Sequence, residues 1–128
     1  MRVLIAFLSA AAIVLGTSAT AFATPVPVQL IAETGTAKVV PTPIEIHMEA
    51  FARNANTGAN LNNVLVSFRT TTGNVLCTDH TDSGGKASCN AEVDQTQLVL
   101  VLLLGFDAVV TGTADYGPAT AHNSVRIV

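Results

Sequence analysis

Tryptophan is absent, tyrosine occurs once, cysteine twice, and charged residues make up only 12% of the 128-residue chain. Six basic residues stand against nine acidic ones, for a formal charge of −3. Nucleic-acid binding rests on a concentrated basic patch, so no nucleic-acid partner is expected. The length allows one domain and excludes a two-domain dehydrogenase or kinase. There is no G-x-S-x-G, no P-loop and no G-x-G-x-x-G, so the chemistry those motifs support has no carrier here. No H-x-H or H-x-x-E-H occurs, and with it goes the usual histidine spacing of a zinc site. No catalytic residue, cofactor or metal site is therefore expected.

What the chain does have is apolar surplus, with 49% hydrophobic residues and a mean hydropathy of +0.49. Much of it sits at the start. Met1-Arg2 precedes an apolar run, Val3 to Leu15, interrupted by Ser9. Ala21-Phe22-Ala23 fits the A-x-A cleavage rule, with Ala19-Thr20-Ala21 as a second candidate. The run is ~13 residues where a bilayer span needs ~20. Residues 1–23 thus read as a cleaved signal peptide, with Thr24 as the mature N-terminus. The remainder is roughly 44% apolar, an ordinary value for a globular domain. Loss of Arg2 brings the formal charge from −3 to −4. No membrane span is expected after cleavage, and the product should be secreted, extracellular or associated with the cell wall.

The mature part reads as strands. Ile44, Ile46, Met48, Ala50 and Ala52 alternate with Glu45, His47, Glu49, Phe51 and Arg53, the period of a half-buried strand. Val64, Val66 and Phe68 alternate likewise, as do Phe106, Ala108 and Val110. Val75–Thr81 and Lys86–Val93 flank Asp82-Ser83-Gly84-Gly85 as the arms of a hairpin. A last strand is expected near Ala121–Val128, and a first one at Gln29–Thr34 or Ala37–Val40. About seven short strands in ~105 residues imply an all-β fold, an immunoglobulin-like antiparallel β-sandwich. The expected organisation is a signal peptide at 1–23, an N-terminal strand or linker at 24–42, and the sandwich at 43–128. Two cysteines in a secreted chain imply one disulfide. Cys77 and Cys89 lie symmetrically about the 82–85 turn and can face each other across neighbouring strands.

The segments Asn63–Phe68, Cys77–Cys89, Gly105–Gly112 and Asp115–Ala119 together resemble the bacterial Ig-like domains. These occur in actinobacterial secreted and surface proteins and are related to invasin-type repeats. The likeness covers about Asn54 to Val128, and "CTDHTDSGGKASC" is its most distinctive part. Ala119 and Thr120 depart from the family's small-residue–Ser pair, the third-strand tryptophan is missing, and Phe68 is placed to fill its space. The resemblance implies a non-catalytic structural or adhesive module at the envelope. Two rivals share its class of fold: a small-molecule carrier or inhibitor like the enediyne apoproteins, which typically hold two disulfides, and a prealbumin-like surface domain.

Candidate sites are few. His47, His80 and His122 are expected on solvated faces. Cys77-x-x-His80 with Met48 suggests copper, but a copper thiolate requires a free cysteine. Asp79, Asp82 and Asp115 near turns suggest calcium, or carboxylates that bond their own backbone. Lys38 and Lys86 are the candidates for an isopeptide bond. The feature left over is Leu98-Val99-Leu100-Val101-Leu102-Leu103-Leu104. It either plugs the end of the sandwich or exposes an apolar patch. In the second case Leu98, Leu100, Leu102 and Leu104 form an interaction surface, for self-association or for docking on a protein or other envelope component.

Overall fold

A computed structural model describes residues 24–128; the expected signal peptide, 1–23, lies outside the described residues. Two sheets pack face to face. The first is built on β3 (Ile44–Asn54), whose inward residues Ile46, Met48, Ala50 and Ala52 are fully buried. β6 (Lys86–Val93) runs antiparallel along one edge of β3. β1 (Val28–Ala32) and β2 (Gly35–Lys38) share the other edge, β1 against residues 50–54 and β2 against 45–47. Residues 24–42 therefore contribute two strands to the first sheet. β9 (Val125–Ile127) adds outside β2 in parallel. The second sheet has the order β5 (Val75–His80), β4 (Leu65–Thr70), β7 (Phe106–Val110), β8 (Ala119–Asn123), all antiparallel.

Alternation explains the layering. In β3, β4 and β7 alternate residues are buried against the other sheet, nearly all of them apolar, and the residues between them face outward. The centre is filled by Phe68 and Phe106, with ring centroids 6.1 Å apart, and by Ile46, Met48, Val64, Val66 and Ala108. Phe68 is fully buried.

Two expectations are corrected. Residues 82–85 do turn the chain: Asp82 Oδ1 accepts from the Gly84 and Lys86 amides at 2.9 and 3.0 Å, and Gly85 has φ +81°. Yet β5 and β6 do not pair; they belong to different sheets. The turn is a corner crossing from one layer to the other, and the Cys77–Cys89 disulfide, Cα–Cα 6.4 Å, ties the two sheets at their edges. The final strand is likewise not one element. It breaks at Ser124, so β8 belongs to the second sheet and β9 to the first.

The apolar run forms a helix, α1 (Gln95–Leu104). Asp94 caps it, accepting from the Gln97 amide at 2.8 Å, while Gln97 Oε1 accepts from the Asp94 amide at 3.4 Å. This reciprocal pair satisfies two amides that the first turn would leave open. Gly105, at φ +79°, ends the helix and donates its amide to Val101 O at 2.9 Å. α1 leaves β6 beyond Val93, packs against β4, β6 and β9, and returns the chain to β7. It thus closes the end of the sandwich where β3 begins.

Candidate functional site

α1 is apolar on every side from Leu98 onward, so its packing cannot hide all of it. Leu98 and Val101 enter the core. Leu100 and Leu102 are half-buried. Val99 is 52% exposed, Leu103 76% and Leu104 49%. The expected set Leu98, Leu100, Leu102 and Leu104 assumed alternation. On a helix those four positions span more than one face, and Leu98 belongs to the core. The solvent-facing apolar surface is Val99, Leu103 and Leu104, with the exposed Ile127 following on β9, the strand packed beside the helix.

At the opposite end, a groove of about 270 Å³ lies on the outside of the second sheet. Asn63, Val64, Leu65 and Ser67 line it from β4 and its approach, His80 from the end of β5, and Val110, Thr111, Thr113, Asp115 and Tyr116 from β7 and the loop after it. That loop is held in place. Thr113 Oγ1 accepts from the Asp115 and Tyr116 amides at 3.2 and 3.1 Å. The Val26 amide donates to Asp115 O and the Gly117 amide to Val26 O, both at 2.9 Å. Beneath the approach to β4, buried Thr81 accepts from the Val64 amide at 2.9 Å and donates to Leu61 O at 2.7 Å. This strut had no sequence signal beyond a threonine ending a strand.

Most of the remaining candidate residues are spoken for by neighbours. His47 sits on the outer face of the first sheet, with Nδ1 2.7 Å from Asn90 Oδ1 and Nε2 2.8 Å from Glu49 Oε2. Its hydrogen bonds to Glu49 and then Asn90 raise its pKa; the same bond, with Lys86 at 3.3 Å, lowers that of Glu49. Lys86 is thereby an ion-pair partner at the surface, and Lys38 ends β2 exposed. His122 bonds Asp107 at 2.8 Å. Asp79 accepts from the Ser88 amide at 2.9 Å, and Asp82 bonds its own turn. Cys77 is in the disulfide, and Met48 is fully buried. Among the described residues no three His, Cys, Asp or Glu side chains gather to hold a metal ion, and none of their helices is long and apolar enough to cross a membrane.

No family model and no curated protein matches this chain. Its function has to be argued from the two surfaces above, one apolar and one mixed, set at opposite ends of a filled sandwich.

Proposed function

We propose that the protein is a secreted, non-catalytic Ig-like module that acts by binding, as a structural or adhesive element at or outside the cell envelope. The observation that carries this reading is where the unused chemistry lies. The space between the sheets is packed with side chains, while α1 presents Val99, Leu103 and Leu104 to solvent. A carrier of an apolar small molecule would need a cleft between the layers; an adhesive module needs apolar surface at a tip. Two further points support an Ig-like layout: a long β3 paired with β6 and with the N-terminal strands, and β4 and β7 at the centre of the facing sheet. The enediyne-apoprotein type of carrier fits less well, because the groove lies on the outside of one sheet and not between the layers, and it is too small for an extended ligand.

Fractionation of the producing cells tests location. The protein is expected in medium or wall extract, with Thr24 as its first residue by mass spectrometry. Recovery only from cytosol with residues 1–23 attached overturns the reading. Sedimentation of the wild type against a Leu103→Ser, Leu104→Ser double variant tests the apolar tip. Association by the wild type alone, with equal thermal midpoints, is the expected result.

A further inference from the structure

The groove on the second sheet gathers several polar side chains without partners into one concavity. On the outer surface away from it some groups pair, His47 with Glu49 and Asn90, Lys86 with Glu49, and His122 with Asp107, while others stand singly in solvent. Around the groove the Asp115 carboxylate, the His80 imidazole, the Ser67 and Thr111 hydroxyls and the Asn63 amide make no side-chain hydrogen bond within the described residues. The Tyr116 hydroxyl has only a 3.5 Å contact with Asn62 O. Beside these groups the exposed apolar surface is the Leu65 side chain, 48% exposed, next to the Tyr116 ring.

We propose that this groove binds one neutral sugar ring, as a residue of a glycan. No Lys or Arg lines it and Asp115 does, so an anion is disfavoured. A cation would call for acceptors alone, whereas the rim mixes hydroxyls and an amide, which donate as well as accept, with a carboxylate. Sugar hydroxyls also do both, and the C–H face of a pyranose suits the Leu65 side chain and the Tyr116 ring. The volume of about 270 Å³ fits a single ring and not an extended ligand. That the glycan belongs to an envelope polysaccharide rests on the function proposed above; binding of the ring does not.

Saturation-transfer NMR on the purified protein, with the methyl glycosides of glucose, galactose, mannose and arabinose at millimolar concentration, tests the site. Transfer to the ring C–H protons of at least one glycoside is expected. Tyr116→Ala should weaken binding by about tenfold, the usual scale of a lost aromatic contact. Ser67→Leu, a half-exposed substitution that fills the groove, should abolish it with the thermal midpoint unchanged; Tyr116→Phe should retain most of it. Absence of transfer from all four glycosides overturns the proposal, as does transfer that survives Ser67→Leu. So does binding of butylammonium at the same residues without any glycoside, which would make the site one for a lysine side chain. The titration is indifferent to where the protein resides, so its failure and a failed fractionation are separate results.

Discussion

On the outer face of the first sheet, both ring nitrogens of His47 meet oxygen acceptors, those of Asn90 and Glu49. Two N–H donors require the charged ring, which is why its pKa rises above 6.5 while that of Glu49 falls below 4.5. A raised histidine stabilises the fold fully below its unfolded value and loses the effect as pH climbs through the folded one. A lowered carboxylate stabilises above its unfolded value and loses the effect as pH falls through the folded one. Both contributions are complete between pH 4.5 and 6.5. The stability difference between wild type and His47→Gln is therefore expected to peak in that window and to shrink on either side, as read by denaturant titration at several pH values. Its size should stay under about 1 kcal/mol, because the pair is partly exposed and screened. Gly105 offers a larger effect at one position. At φ +79°, an added Cβ would strike Asn123 O and the His122 ring. Gly105→Ala is expected to cost at least ~2 kcal/mol by the same titration, from backbone strain and overlap together.

The helix separates two kinds of leucine that the sequence writes alike. Leu98→Ala removes a core side chain and should cost ~2–3 kcal/mol; Leu103→Ser touches only solvent and should leave the thermal midpoint within a degree or two. Asp94→Ala opens the capping box and should cost ~1 kcal/mol. The central strands were legible because each buries one face: Ile46, Met48, Ala50 and Ala52 alternate with a mostly polar set, Glu45, His47, Glu49, Phe51 and Arg53. α1 was not, because seven consecutive apolar residues satisfy a strand and a helix equally. The discriminating signal was local and polar, Asp94 with Gln97 at the entry and Gly105 at the exit. The break at Ser124 left no periodic trace, since β8 and β9 each hold too few residues for a change of sheet to interrupt a pattern.

Across the whole molecule, β1 and β8 lie side by side, and Asn123 Nδ2 donates to Ala32 O at 2.8 Å. On the other side β5 and β6 are joined by the disulfide, and Asp79 accepts from the Ser88 amide across the gap. The cysteines lie twelve positions apart in the chain, so the chain-entropy model gives the bond about 3 kcal/mol. Cys77→Ser with Cys89→Ser should lower the unfolding free energy, read by denaturant titration, by that amount without changing the fold. The pairing of these cysteines was readable from the sequence; their sheets were not, because Asp82-Ser83-Gly84-Gly85 turns a chain in the same way whether or not its arms remain bonded. The groove was illegible for a different reason. Asn63, His80 and Asp115 come from segments remote in sequence, and only the pairing of β4 with β5 and β7 assembles them.

β2 and β9 run in the same direction, joined from Gly35–Val125 to Ala37–Ile127, with the Gly35 amide bonded to Ser124 O and the Val128 amide to Ala37 O. Residues on the N-terminal side enter at the groove end, and β9 leaves at the α1 end. Tension applied between the two would therefore pull these strands in shear, loading their hydrogen bonds together instead of one after another. Stretched between those ends the protein would resist as a clamp, and force spectroscopy with handles at residues 24 and 128 should record a higher rupture force than with handles across the 82–85 corner.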